Sequence, residues 1–157
     1  MLHENVLIEV CGYKFRFVQE LNPKCDKTGK IIQFMPQTRY KKHKEEKLNL
    51  YGSGSFCKFT IPNDWSGKSG VYALFNNEDL LYIGKCVDLR KRFNAGYGNI
   101  SPKNCYIGGQ STNCKINAMI LEQYKNGNKV VLYFYETKDS TIIENRLINK
   151  LKPMYNG

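Results

Sequence analysis

The chain has 157 residues, enough for one core or one core plus a small accessory module. Apolar residues make up 41% and charged residues 24%, and no apolar run approaches the twenty or so residues of a membrane-crossing helix, which excludes a helical membrane span. The formal charge is +10, with 11 basic against 7 acidic residues in 1–65 and 13 against 7 in 66–157, so both halves suit a polyanionic partner whose phosphates release counterions on binding.

The opening residues, Met1-Leu2-His3-Glu4-Asn5, lack the basic start and apolar run of a secretory signal, so the expected location is the cytoplasm or the nucleoid. Cys11, Cys25, Cys57, Cys86, Cys105 and Cys114 include no C-x-x-C pair, and neither His3 nor His43 stands at ligand spacing from them. Reduced thiols are expected rather than disulfides or a zinc site.

The first predicted element is a hairpin. Val6, Ile8 and Val10 alternate, Cys11-Gly12 turns the chain, and Tyr13, Phe15 and Phe17 alternate back. A two-residue turn pairs 10 with 13, 8 with 15 and 6 with 17, so all six apolar side chains share one face that must be covered. The covering is either the rest of the chain or the partner of a homodimer. Residues 19–54 are rich in Pro, Gly and charge, including Arg39-Tyr40-Lys41-Lys42-His43-Lys44, a run that suits a nucleic-acid backbone or simply a solvated loop. Phe56 to Ile61 reads as a strand ended by Pro62.

Residues 1–65 are therefore taken as an accessory segment and 66–157 as the main domain. Within the latter, 70–75 and 80–84 read as strands around Asn76-Asn77-Glu78-Asp79. Asp88 is set to cap a helix that buries Leu89 and Phe93, and 96–113 forms a glycine-rich loop. Ser111, Thr112 or Asn113 then caps a helix carrying Ile116, Ile120 and Tyr124, stopped by Gly127. A strand over 130–136 and a helix over 140–151, ending before Pro153, complete the chain. This order predicts an α+β fold.

Chemistry concentrates in the second part. On the last helix Ile143, Leu147, Ile148 and Leu151 span an arc of about 140°, and Glu144 falls inside it. A carboxylate there must be paired, protonated or bound to a cation. Arg92 follows Leu89 by one turn, beside the buried face, where a guanidinium can offer a fork of donors to a phosphate. Lys85 projects from a strand end. Tyr72 and Tyr82 are ordinary strand formers, and a four-residue loop would pair 72 with 83 and turn the two phenols to opposite faces. They converge only if a bulge shifts the register.

Gly70-Val71-Tyr72, Tyr82-Ile83-Gly84, Arg92 eight residues further on, Glu144 on a later helix and Asn156 near the end together resemble the GIY-YIG nuclease superfamily. The resemblance covers about residues 68–157. It implies a small three-stranded antiparallel sheet flanked by helices, preceded here by the hairpin-containing segment. It also implies hydrolysis of DNA phosphodiesters, with RNA left open as a substrate. Glu144 would hold a single Mg²⁺ or Mn²⁺, Arg92 the non-bridging phosphate oxygens, and Tyr72 would activate water under the field of Lys85. Tyr82 would hydrogen-bond within the site, and Asn156 would orient it from the tail. Gly84 would allow close backbone approach, while Gln110, Asn113 and Lys115 sit where DNA contacts near the cut are expected. Some members carry a histidine four residues after the arginine. Here that position is Gly96, followed by Tyr97.

Overall fold

A computed structural model describes residues 7–77 and 79–157. Strands β1 (Leu7–Val10), β2 (Tyr13–Glu20), β3 (Gly70–Asn76), β4 (Asp79–Cys86) and β5 (Val130–Glu136) are joined by helices α1 (Leu89–Lys91), α2 (Ser111–Lys125) and α3 (Ser140–Leu151). All five strands form one antiparallel sheet in the order β1-β2-β5-β3-β4, giving the α+β class. The three strands expected of the second part are β5, β3 and β4. The N-terminal hairpin hydrogen-bonds along β5 and widens that same sheet to five strands.

In the hairpin Val10 faces Tyr13 and Ile8 faces Phe15, as the alternation predicts. The third expected pair, Val6 with Phe17, lies outside the described residues. Cys11 and Gly12 turn the chain at φ 50° and 88°, the positive values that a two-residue hairpin loop requires. Val10 and Phe15 are buried on the same sheet face as Val71, Ala73, Ile83 and Tyr133, and Ile143 and Leu147 of α3 close over that layer. The hairpin's apolar face is thus covered from within the chain. On α3 the stripe is narrower than predicted: Ile143 and Leu147 are buried, Ile148 is half-buried and Leu151 is exposed.

Tyr72, Leu74, Leu132 and Phe134 form the opposite face, covered by Ile116, Met119 and Ile120 of α2 and by Phe93 and Tyr97. Residues 56–61 run beneath this layer, but not as the strand predicted for them. Only Phe56 makes a bridge, to Phe34. The backbone groups of 57–61 are instead met by isolated main-chain bonds, from the Lys24 N–H to the Lys58 carbonyl and from the Phe59 N–H to the Gly98 carbonyl, and by side-chain amides. Asn117 accepts from the Cys57 N–H at 3.0 Å and donates to its carbonyl at 2.8 Å, and Asn94 does the same for Ile61 at 2.7 and 3.0 Å. Each amide copies the pair of bonds a neighbouring strand would supply, and leaving such buried groups unpaired would cost about 1–3 kcal/mol each.

Candidate active site

The β3–β4 hairpin departs from simple register. Asn76 faces Asp79 and Phe75 faces Leu80, but the next rung is Leu74 with Tyr82, followed by Ala73 with Ile83 and Tyr72 with Gly84. Leu81 is the extra residue of a β-bulge. Its insertion turns Tyr82 onto the face that already carries Tyr72, so the two rings lie 6.3 Å apart between centroids. Without the bulge Tyr72 would pair with Ile83 and Tyr82 would point into the α3 layer. Gly84 stands directly across from Tyr72, and a Cβ there would come within 2.3 Å of the Tyr72 hydroxyl. The room expected at Gly84 for a close backbone approach is taken up by that phenol. Gly84→Ala must therefore displace Tyr72, and we expect a loss of about 1–3 kcal/mol in stability, read by urea unfolding, together with loss of activity.

Asp88 caps α1 as predicted, accepting from the Lys91 N–H at 3.0 Å, and this bond holds its carboxyl below the usual carboxylate range. The chain then widens into a π-turn over Arg92–Tyr97. In an α-helix Arg92 would share its face with Gly96, four residues on. The wider turn brings Tyr97, five residues on, to that face instead. Arg92 Nη2 donates to the Tyr97 hydroxyl at 2.8 Å, its guanidinium carbon lies 4.1 Å from the ring centroid, and the Tyr97 and Tyr72 hydroxyls meet at 2.5 Å. Tyr97 is thus a member of the site that motif reading passed over. The signal for it was an aromatic one place beyond the expected histidine position, hidden because the pattern assumes α-helical spacing.

Burial pushes the Tyr72, Tyr82 and Tyr97 phenols above their ordinary pKa, with Arg92 drawing each of them partly back. All three are therefore protonated at neutral pH and serve as hydrogen-bonding groups. Tyr72 is only 1% exposed, whereas Tyr82 is half-buried.

Arg92 is held without being neutralised. Its other contact is Nη1 to Asn113 Oδ1 at 2.9 Å, and no carboxylate pairs with it among the described residues. Asn113 is 4% exposed and its amide nitrogen donates to Gln110 Oε1 at 3.1 Å, so both ends of its side chain are occupied. It caps no helix, and it lines the cleft beside Arg92. α2 accordingly begins at Ser111 with no side-chain cap. Gln110 itself is exposed at the cleft rim, whereas Lys115 lies apart, donating to the Gly157 carbonyl at 3.3 Å and lying over the Tyr51 ring.

Lys85 and Glu144 approach from the other side of the sheet. Lys85 pairs across from Val71, on the α3 face, and its Nζ donates to Thr141 Oγ1 at 2.8 Å. Glu144 follows Thr141 by three residues, on the same face of α3. It is half-buried, and desolvation raises its carboxyl above the ordinary range while the Lys85 charge pulls it partly back. Its negative charge is felt by Tyr82 across the edge strand. The tail seals part of that edge. Asn156 accepts from the Ile83 N–H at 2.9 Å and donates to its carbonyl at 2.8 Å, and the Tyr155 N–H reaches the Leu81 carbonyl at 2.9 Å. Just past this seal a cleft of about 570 Å³ opens, lined by Lys85, Arg92, Lys91, Gln110, Asn113 and Thr141 among others. The site therefore straddles edge strand β4, with phenols and guanidinium from one layer and carboxylate and ammonium from the other.

No group of three His, Cys, Asp or Glu side chains gathers among the described residues. A divalent ion at Glu144 would take one protein carboxylate, with water and substrate oxygens completing its shell. That donor set suits Mg²⁺, which keeps its waters and binds through one or two carboxylates plus phosphate.

Residues 68–157 match the family model of the UvrC-like GIY-YIG domain, and the chain belongs to the GIY-YIG nuclease superfamily. It is 33% identical over 96 residues to Endonuclease II of Enterobacteria phage T4, a match covering 61% of this chain and 65% of that one. It is 34% identical over 94 residues to UvrABC system protein C of Helicobacter hepaticus and 37% identical over 98 residues to that of Helicobacter acinonychis. Those matches take in 59% and 58% of this chain but only 14% and 15% of the relatives, so the similarity to them is confined to one domain. No solved structure gives a significant match. Among the described residues no helix is long and apolar enough to cross a membrane.

Proposed function

We propose that this protein is a metal-dependent endonuclease that hydrolyses DNA phosphodiester bonds. The observation that carries the reading is Arg92: a half-buried guanidinium, fixed by neutral partners and facing a cationic cleft with its charge uncompensated. Holding a cation this way is costly unless an anion completes it, and a phosphate matches its fork of donors. Bound Mg²⁺ or Mn²⁺ would supply Lewis-acid polarisation of the scissile phosphate at Glu144. Arg92 holds the non-bridging oxygens and stabilises the charge that builds on them.

The sequence pattern nominated Tyr72 as the group that activates water. Its hydroxyl is enclosed and engaged by Tyr97, so we assign the water-facing role to Tyr82 and give Tyr72 the role of fixing Tyr97 and, through it, Arg92. Burial keeps the Tyr82 phenol protonated, and the charge of Arg92 together with that of a bound ion would favour the phenolate, which would take the proton of the attacking water. Cleavage should therefore climb with pH from 7 towards 9 in the wild type. Supercoiled plasmid incubated with the full chain and Mg²⁺ or Mn²⁺ tests the reading: nicking that EDTA abolishes supports it. Absence of nicking across that pH range with either ion would leave a phosphate-binding module without catalysis.

A further inference from the structure

Residues 36–52 are pinned at both ends to the loop that leads into α2. The Tyr106 hydroxyl donates to the Gln37 carbonyl at 2.7 Å, and the Tyr40 and Tyr106 rings stack at 4.7 Å. Further along, the Ile107 N–H meets the Lys47 carbonyl at 2.9 Å, Leu48 bridges Tyr106, and the Asn49 side chain donates to the Asn104 carbonyl at 2.6 Å. Between these anchors residues 40–46 wind through successive turns, with N–H to carbonyl bonds from His43 to Tyr40 and from Glu45 and Glu46 to Lys42. The tip is thus folded on itself and carried by the core.

Its surface is cationic. Arg39, Lys41, Lys42, Lys44 and Lys47 are all exposed, against two carboxylates, Glu45 and Glu46. None of the five cations is in an ion pair among the described residues. Gln110 at the cleft rim lies four positions after Tyr106, at most about 14 Å along the chain. That is the length of about four base pairs of duplex.

We infer that this loop is a second DNA-binding surface, gripping the phosphate backbone of the duplex a few base pairs from the bond held at Arg92. The inference rests on the DNA reading above and gives the N-terminal part of the chain a task in substrate binding. Five unpaired cations on a preformed tip neutralise phosphates without first being ordered, and they carry no base-reading geometry. The contact is therefore indifferent to sequence.

The test is the salt dependence of binding to a 30-base-pair duplex by the full chain carrying Glu144→Gln, which prevents cutting. Adding Lys41→Gln, Lys42→Gln and Lys44→Gln should flatten the slope of log affinity against log salt by about 2–3 and weaken binding at low salt at least tenfold. Glu45→Gln with Glu46→Gln should tighten it. Matching thermal unfolding curves would show that these surface changes leave the fold intact. An unchanged slope in the lysine variant, with binding otherwise normal, overturns the loop assignment alone. Failure of the Glu144→Gln parent to bind duplex overturns both this inference and the DNA reading.

Discussion

Arg92→Ala should lower plasmid nicking about a thousandfold while leaving the fold in place, the range expected when the main stabiliser of transition-state charge is removed. The guanidinium is not a strut: its partners are the neutral Asn113 amide and Tyr97 hydroxyl, both of which keep other hydrogen bonds when it is gone. Arg92→Lys should fare little better, because an ammonium cannot reach Asn113 and Tyr97 and still present two donors to phosphate. Tyr97→Phe leaves the charge but removes one of its two anchors, so a smaller loss, about tenfold, is expected. The ordering Arg92→Ala, Arg92→Lys, then Tyr97→Phe is the diagnostic result. Equal losses in all three would mean that the cluster acts only as packing.

Glu144→Gln should abolish nicking and at the same time stabilise the protein. Burial raises the Glu144 carboxyl above its unfolded value, so the folded state binds the proton more tightly than the unfolded chain does. Stability from this group is complete at low pH and is lost as pH rises through the folded pKa, in a window that opens near 4.5 and extends upward. At neutral pH the ionised carboxylate is a liability that an uncharged amide removes, and because the group is only half-buried and screened by water the expected gain is small, about 0.5 kcal/mol. Thermal melts of wild type and variant should converge near pH 4 and separate towards pH 7, with the variant higher. Mg²⁺ should raise the melting temperature of the wild type and not of the variant, since an ion that binds only the native state stabilises it. A variant that melts below the wild type at pH 7 would instead mark Glu144 as a structural ion-pair partner of Lys85.

These two residues also show how far the chain could be read without coordinates. The strands and helices of 70–151 were legible because alternation and a 3.6-residue period leave a direct trace in composition. The cap at Asp88, the stop at Gly127 and the end before Pro153 carry local backbone chemistry. The 56–61 strand failed for the converse reason: an apolar extended run does not say whether its backbone bonds go to a strand or, as here, to Asn94 and Asn117. Asn113 looked like a surface amide because nothing local marks a side chain that is buried by a partner 21 residues away.

Sequence sufficed for the family and the α+β class, since each is written in short motifs or in the periodicity of neighbouring residues. Three matters were settled by contacts between distant segments. One is the bulge at Leu81, which turns both tyrosines to one face; a single inserted residue is invisible until the partner strand fixes the register. Another is the π-turn that sets Tyr97 beneath Arg92, because helical spacing in a sequence is assumed rather than seen. The last is the seam at β4, where an edge strand lets Lys85 and Glu144 from one layer face Arg92 and Tyr82 from the other across a glycine.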